Sequence, residues 1–155
     1  MISGNLKYLK EHFDDYDSFF VAIGKNYERS EKLERLKKNN VNIDTLLHPK
    51  AIVSKFSSLG SGICVMANAV INSGTIINDG VIINSSASID HDCLINNFAH
   101  ISPNCTLSGG NKVGEFTHLG SGTSVHPGIN IDKNLKTGIC SKVFKDILDD
   151  KIFIN

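Results

Sequence analysis

A parallel β-solenoid built from six-residue units is the fold that the sequence predicts, and three repeating columns of residues predict it. In the first column Ile, Leu or Val recurs at every sixth position, fourteen times without a break, although only about one residue in four of an average chain is of these types. A helical face repeats every 3.6 residues and a strand every two, so neither explains this period. The aliphatic positions are Val53, Leu59, Val65, Ile71, Ile77, Ile83, Ile89, Ile95, Ile101, Leu107, Val113, Leu119, Val125 and Ile131.

The other two columns describe an interior and a corner. Small or apolar residues lie two positions before most of the aliphatic residues; Cys93 and Cys105 belong to this column, and we interpret both as small apolar filler. Glycine or asparagine often lies three positions after, where a sharp corner needs the positive φ that these residues tolerate. Three such units close a triangular coil of 18 residues, and the coils stack. The corner residues are Gly62, Asn68, Gly74, Gly80, Asn104, Gly110, Gly122, Gly128 and Asn134.

The segment before the repeat predicts a small α/β unit. Residues 5–12 predict a short helix, residues 19–24 a buried strand, residues 27–40 an amphipathic helix and residues 41–47 a second strand. These elements form a βαβ-like stub over residues 1–47. Two parallel strands cannot cover both of their faces, so the stub must pack on a neighbour or be half of a larger nucleotide-binding domain.

The repeat is predicted to occupy residues 48–140, and the rest of the chain to cap it. The register fades after Ile131, although residues 136–140 predict one more strand. Residues 141–155 are expected to pack over the open end of the prism, because a solenoid needs its ends covered for solubility.

Composition excludes several classes of partner. The 16 basic and 16 acidic residues cancel, and no basic block favours nucleic acid or an anionic membrane. No apolar run reaches the roughly 18 residues of a spanning helix, and the N-terminus lacks a signal-peptide core, so we expect a cytoplasmic protein. The four cysteines include no CxxC pair and are too few for a disulfide scaffold.

Two histidines stand out in the repeat. His91 follows an inward-facing isoleucine by two positions and is expected to face outward, while His100 lies half a coil further on, on a different side of the prism. These two side chains can therefore meet only across an interface between chains. His118 follows His100 by one coil and Gly109 follows His91 by one coil, so each pair is expected to stack.

The six-residue pattern resembles the hexapeptide-repeat, left-handed parallel β-helix family, and the left hand is taken from that resemblance. The resemblance implies an acyltransferase that uses acetyl-CoA or a related thioester and works as a trimer with active sites between neighbouring prisms. Such a reaction needs a base with a pKa near neutral, a carboxylate that orients it, and an N–H group for the developing oxyanion. His91, Asp92 or a nearby acid, and Gly109 could supply these, although a surface or interface histidine is the alternative.

Residues 89–102 carry a closer resemblance. IDHDC and FAHIS in this stretch resemble the NeuD/PglD subfamily of sugar acetyltransferases, which modify sialic acids or nucleotide-linked amino sugars. The resemblance extends over about residues 19–145. It implies that His91 is the general base and that Asp92 orients it. It further implies that His100 helps to hold acetyl-CoA or the acceptor.

The same resemblance suggests the binding residues. It implies that the Gly109 N–H faces the thioester carbonyl, and that Ser121 and Ile139 line the pantetheine channel. The stretch VAIG followed by Lys25 and Asn26 matches a later strand of the subfamily's nucleotide-binding domain. The substrate-binding candidates are Ile23, Gly24 and Asn26.

The sequence departs from the subfamily at both ends. The first strand and Gly-rich turn of a Rossmann-like domain are absent, which makes residues 1–47 a partial Rossmann-like segment, and the usual G-x-P-A near the C-terminus is missing. These departures leave undecided whether the chain binds an acceptor, whereas the residues that the resemblance assigns to acetyl-CoA binding are all expected to be present.

The predicted function is therefore acetyl-CoA-dependent acetylation of an amino or hydroxyl group of a sugar, in bacterial surface glycan synthesis, by a homotrimer. A non-catalytic trimeric scaffold is the alternative, because the acceptor half is incomplete. A zinc enzyme of the γ-carbonic-anhydrase type needs two histidines five residues apart. Here successive intervals among His91, His100, His118 and His126 are 9, 18 and 8 residues, so no metal is expected.

Overall fold

The structure is a computed structural model that describes residues 6–148 and 152–153. Helix α1 (Leu6–Glu11) and a 3₁₀ turn (Phe13–Asp15) precede helix α2 (Asn26–Lys37), and two-residue strands follow. The strands are β1 (Leu46–Leu47), β2 (Ile52–Val53), β3 (Ser58–Leu59), β4 (Cys64–Val65), β5 (Val70–Ile71), β6 (Ile76–Ile77), β7 (Ile82–Ile83), β8 (Ser88–Ile89), β9 (Leu94–Ile95), β10 (His100–Ile101), β11 (Thr106–Leu107), β12 (Lys112–Val113), β13 (His118–Leu119), β14 (Ser124–Val125), β15 (Asn130–Ile131), β16 (Lys136–Thr137), β17 (Lys142–Val143) and β18 (Ile152–Phe153).

The strands form three parallel sheets, and each sheet is one side of a prism. From β1 to β14 each strand pairs with the strand three further along the chain, so paired residues are 18 positions apart, as His100 and His118 are. This confirms the predicted coil of three six-residue units. The fold is mainly β and matches the left-handed parallel β-helix that the sequence predicts.

The aliphatic column forms the core. Each of its fourteen residues is the second residue of a strand, and all are at most 2% exposed except Val53 and Leu59 in the first coil. Burying one such side chain contributes about 1.5–3 kcal/mol. The small column is buried as well, with Cys93 and Cys105 almost fully enclosed. The strand register also continues beyond the predicted range, through Leu47 at one end and Val143 at the other.

The corners adopt the conformation that the third column predicts. All nine glycine and asparagine residues of that column have φ between 57° and 74°. The same corner position is occupied elsewhere by residues of other types, which also have positive φ: Ser86, Asp92, Phe98, Phe116 and Cys140.

The N-terminal segment is less regular than predicted. Helix α2 confirms the predicted amphipathic helix but ends at Lys37. The predicted strand over residues 19–24 is wrong as an extended element, because only Phe19 pairs, in a single parallel bridge to Ile43. The predicted strand over residues 41–47 is likewise reduced to that bridge and to β1, which belongs to the prism. Two short strands without further neighbours have too few pairing partners to extend.

Arg29 fastens α2 to the prism. Its guanidinium is buried and donates hydrogen bonds to backbone carbonyls on both sides, at 2.6 Å to Gly80 and 2.8 Å to Phe98 on the prism, and at 3.0 Å to Ile23 and Gly24. Burial lowers the pKa of Arg29 to about 10, so the side chain stays charged at neutral pH. The turn before α2 is thus held against the corners of two coils.

The C-terminal region continues the prism rather than leaving it. Strand β17 extends one sheet, and Ile147 forms a bridge to Ile131. Strand β18 pairs with β16, and the remainder of the predicted capping tail, residues 149–151 and 154–155, lies outside the described residues. Within the described part of the chain, no helix has the length and apolar character that crossing a membrane would require.

Candidate active site

His91 lies on a corner of the prism, between β8 and β9, and forms a pair with its neighbour. Its Nδ1 lies 2.9 Å from Asp92 Oδ2, and 59% of the imidazole side chain is exposed. Asp92 has a φ of 57°, so the corner conformation itself turns its carboxylate beside the imidazole. The hydrogen bond to Asp92 and the charge of Asp90 raise the pKa of His91 above its ordinary value.

Gly109 lies against the His91 imidazole, one coil along the prism. The Gly110 N–H donates to the His91 carbonyl at 2.9 Å, which sets the two corners in register. A Cβ atom added at Gly109 would lie 2.6 Å from both Nε2 and Cε1 of His91. Among the described residues the Gly109 N–H has no hydrogen-bond acceptor, so it is free to bind one. The predicted stacking of His91 and Gly109 is confirmed.

Replacing Gly109 with alanine is expected to lower kcat by about 10²-fold while the protein stays folded. The new methyl group would displace the imidazole, and a misplacement of about 1 Å can cost this much in rate. Gly109 does not have positive φ, so alanine suits its backbone. Steady-state kinetics and thermal unfolding would check this. Gly128→Ala is the control for kcat, because a Cβ atom there would meet open space. Its φ of 74° strains an alanine backbone, so this control can lower thermal stability but not kcat. Unchanged kcat in Gly109→Ala would contradict the proposed geometry.

His100 lies on a side of the prism, away from His91. Its ring stacks on that of His118 with centroids 4.4 Å apart and planes 6° apart, which confirms the predicted stack. Burial and the neighbouring His118 lower the pKa of His100 to about 4. Two diagonal hydrogen bonds hold the rings, from Asn84 Nδ2 to His100 Nε2 at 3.2 Å and between Ser102 Oγ and His118 Nε2 at 2.9 Å.

An open cleft of about 650 Å³ separates these histidines from the start of α2. The predicted substrate-binding residues Ile23, Gly24 and Asn26 line it together with His100, so the fold brings these four into one place. The Asn26 side chain is already engaged, since its Nδ2 donates to the Phe116 carbonyl at 2.7 Å and its Oδ1 accepts from Arg29.

The remaining predicted residues, Ser121 and Ile139, lie on a different corner from His91. Ser121 and Ile139 follow β13 and β16 and are one coil apart, and Ile139 is 75% exposed. The Cys140 N–H donates to the Ser121 carbonyl at 2.8 Å, which stacks the two corners. A single chain therefore presents His91, His100 and the Ser121–Ile139 corner on three different parts of its surface.

Sequence reasoning missed several polar residues around these positions. Asp90 accepts the His91 backbone N–H at 2.9 Å, and the second acid of the IDHD stretch was a signal for it. Asn84 was detectable only from the coil geometry, because its partner lies 16 residues away. Lys136 follows His118 by one coil and also lines the cleft. Among the described residues, no group of three His, Cys, Asp or Glu side chains is placed to hold a metal ion.

Known proteins share this structure over nearly the whole chain. The acetyltransferase domain of PglB from Neisseria gonorrhoeae superposes with a TM-score of 0.92 at 33% identity, covering 96% of this chain and 74% of that domain. PerB from Caulobacter crescentus, solved in complex with CoA and GDP-perosamine, superposes with a TM-score of 0.91 at 35% identity, covering 96% and 70%. The PglB domain has also been solved in complex with acetyl coenzyme A.

A curated relative is also named as a sugar N-acetyltransferase. UDP-N-acetylbacillosamine N-acetyltransferase of Bacillus subtilis is 43% identical over 49 residues, which is 32% of this chain and only 23% of that relative. No family model matches the sequence. The similarity to the PglB domain and to PerB exceeds 30% identity over more than two thirds of each of those proteins. The chain therefore belongs to the hexapeptide-repeat β-helix family of acetyl-CoA-dependent sugar acetyltransferases.

Proposed function

We propose that the chain transfers an acetyl group from acetyl-CoA to the amino group of a nucleotide-linked sugar, in bacterial surface glycan synthesis. The observation that carries this proposal is the His91–Asp92 pair lying directly against Gly109. A base, an acid that orients it and a free N–H group are the parts that acyl transfer needs. An amino acceptor is favoured over a hydroxyl because the named relatives are N-acetyltransferases.

The geometry gives each group one role. With Nδ1 held by Asp92, Nε2 of His91 is free to take a proton from the amine as it attacks the thioester carbon. The Gly109 N–H donates to the oxyanion that forms on the carbonyl oxygen. As the C–S bond breaks, the proton on His91 passes to the departing thiolate, which leaves as CoA. Asp92 stabilises the imidazolium between these two proton transfers.

The complete site needs more than one chain, and we propose a homotrimer. Ser121 and Ile139 lie on a different corner of the prism from His91. If they line the channel for the pantetheine arm, the Ser121–Ile139 corner of a second chain must lie next to His91. A three-sided prism with flat sides suits closed threefold symmetry. We further propose that Ile23, Gly24 and Asn26 contact the acceptor beside His100, and that the enzyme acts in the cytoplasm, where acetyl-CoA is made.

Sedimentation is expected to give a trimer at micromolar concentration. The expected mass is about three times that of the chain, because the three groups above act together only across chain interfaces. Analytical ultracentrifugation over a dilution series measures this directly. A stable monomer that retains full specific activity would contradict the shared site.

Activity is expected to rise with pH through the pKa of His91, which lies above its ordinary value. Only the neutral imidazole accepts a proton, so activity is lost as pH falls below that pKa. Asp90→Asn should move the midpoint to lower pH, because it removes a negative charge that favours the imidazolium. Asp146→Asn removes a carboxylate that likewise accepts a backbone N–H, from Asn130, and should leave the midpoint unchanged. If Asp90→Asn moved the midpoint of the pH–activity profile to higher pH, this would contradict the role of His91 as the base.

Release of CoA is the direct test of function. The protein would be incubated with acetyl-CoA and GDP-perosamine, then with UDP-linked 4-amino sugars and free sialic acids, and free thiol would be measured with a chromogenic disulfide. We expect thiol release with a nucleotide-linked amino sugar and not with its N-acetylated form. If no acceptor supports turnover while acetyl-CoA still binds, the non-catalytic scaffold becomes the better interpretation.

A further inference from the structure

The peptide bond between Ser108 and Gly109 has one end inside the prism and the other end at the candidate active site. The Ser108 carbonyl oxygen accepts a hydrogen bond from the Cys93 thiol, with Sγ and O 3.3 Å apart. Cys93 is only 1% exposed, so this carbonyl points into the interior. Because the peptide bond is planar and trans, its N–H group points the opposite way. The Gly109 N–H is therefore directed outward, at the corner where His91 lies.

The hydrogen bonds of the next peptide bond join the corner to the coils on either side. The Gly110 N–H donates a hydrogen bond of 2.9 Å to one coil, and the Gly109 carbonyl accepts one of 3.0 Å from the other. Neither bond involves the Ser108 carbonyl. Among the described residues, the thiol of Cys93 is the one hydrogen-bond donor to that carbonyl. The thiol is therefore the group that sets the direction of the Gly109 N–H.

Two other corners show the same arrangement with a hydroxyl in place of the thiol. One coil earlier, Thr75 Oγ1 donates to the Asp90 carbonyl at 2.7 Å, and the His91 N–H donates to Oδ1 of the same aspartate at 2.9 Å. On a different corner, Thr117 Oγ1 donates to the Asp132 carbonyl at 2.6 Å, and the N–H that follows donates to the aspartate at 2.7 Å. In both cases the interior side chain holds the carbonyl 15 residues further on, and a carboxylate occupies the N–H.

The corner at Gly109 differs in having no such carboxylate. Ser108 stands at the position of the two aspartates, and among the described residues its side chain forms no hydrogen bond to the Gly109 N–H. The N–H is held in the same direction but remains available, as a donor to an oxyanion must be. Burial raises the pKa of the Cys93 thiol above its ordinary value, so the sulfur keeps the proton that it donates.

We propose that Cys93 is a positioning residue, whose buried thiol holds the Ser108 carbonyl and thereby aims the Gly109 N–H at the oxyanion formed during acetyl transfer. This inference rests on the proposed acetyltransferase function and deepens it, because a residue of the prism interior then shapes the active site. The interpretation of Cys93 as small apolar filler describes its volume but not its hydrogen bond.

Cys93→Thr and Cys93→Val are the decisive pair of variants. Their side chains have the same shape, and residues of both types already occupy this interior column, as Thr75 and Val81. Only threonine donates a hydrogen bond. We expect Cys93→Thr to keep a kcat near that of the wild type. Cys93→Val should lower kcat roughly tenfold, the usual effect of one lost hydrogen bond, or by as much as the 10²–10³-fold that loss of an oxyanion donor costs.

The ratio of the two kcat values separates positioning from packing. A role in packing alone would affect both variants equally, because they fill the same volume. KM for acetyl-CoA should change little in either variant, since an oxyanion exists only in the transition state and not in the bound substrate. Equal kcat values in Cys93→Thr and Cys93→Val would overturn the proposal.

Two spectroscopic readouts need no substrate. The infrared S–H stretching band of Cys93, obtained by subtracting the spectrum of Cys93→Val, should lie at the lower frequency of a hydrogen-bonded thiol. In protein labelled with ¹⁵N-glycine, Gly109→Ala assigns the Gly109 amide signal. This signal should move in Cys93→Val and stay near its wild-type position in Cys93→Thr. A thiol band without hydrogen bonding, or an amide signal that Cys93→Val leaves in place, would overturn the proposal.

Cys105→Val is the matched control. Cys105 is equally buried and its thiol donates to the Gly120 carbonyl at 3.2 Å, again 15 residues further on, but at a corner other than that of His91. This variant should change neither kcat nor the Gly109 amide signal. If Cys93→Val does not fold, Cys93→Ala and Cys93→Ser replace the pair, because serine keeps the donor and alanine lacks it.

The spectra and the kinetics distinguish the two ways in which the idea can fail. If the wild type turns over no acceptor, the proposed function is wrong, while the infrared and amide signals still decide whether the thiol sets the peptide direction. If the amide signal moves in Cys93→Val and kcat does not fall, the acetyltransferase function stands and the positioning role of Cys93 is wrong.

Discussion

Replacing His91 with alanine is expected to lower kcat by roughly 10²–10⁴-fold, the usual contribution of general acid–base catalysis. The imidazole is exposed and its removal leaves the core intact, so the protein should fold and bind acetyl-CoA with near-normal affinity. Asp92→Asn should do less harm, because an amide oxygen still accepts the hydrogen bond from Nδ1 but stabilises an imidazolium poorly. Steady-state kinetics combined with calorimetry would separate turnover from binding.

His126 provides the matched control for this experiment. His126 is exposed and directly follows β14, which lies two coils along the prism from β8, the strand before His91. Its Nδ1 has no carboxylate partner among the described residues. His126→Ala should leave kcat unchanged, and His100→Ala should act more on substrate binding than on turnover. If His126→Ala or His118→Ala abolished turnover while His91→Ala did not, the catalytic base would have to be assigned to another coil.

The prism could be predicted because a single spacing controls it. A solenoid repeats the same local environment, so each aliphatic residue from Val53 to Ile131 is independent evidence for one register. The same arithmetic placed Gly109 on His91 and His118 on His100, because residues 18 apart are paired neighbours in a sheet. Few folds allow contacts to be read from differences in residue number in this way.

The N-terminal segment could not be predicted as well, because tertiary contacts determine its structure. Residues 19–24 are apolar enough for a strand, yet they lie against α2 and the prism with one bridge to Ile43. Arg29 gave no sequence signal for its role, since a buried arginine bonded to carbonyls resembles any charged residue of a helix. The Asn84–His100 bond crosses a corner diagonally and was missed for the same reason.

Introducing a charge into the prism interior is expected to prevent folding altogether. Ile95 is fully buried, and its paired neighbours in the adjacent coils are Ile77 and Val113, so an aspartate there would have no polar partner. The desolvation cost of an unpaired buried carboxylate is several kcal/mol, against a total stability of about 5–15 kcal/mol for a domain. Ile83→Asp should behave in the same way, because Ile83 is equally buried at the same position two strands earlier.

The matched control for these variants is Ile52→Asp, at the outward-facing residue of β2. Ile52 is 66% exposed, so the same change of side chain there keeps the carboxylate in water. Circular dichroism and thermal unfolding of the soluble fractions should show a folded Ile52→Asp protein and no folded Ile95→Asp protein. A folded Ile95→Asp variant with wild-type thermal stability would mean that this side chain lies outside the core. The register that places His91 against Gly109 would then fail with it, since one spacing determines both.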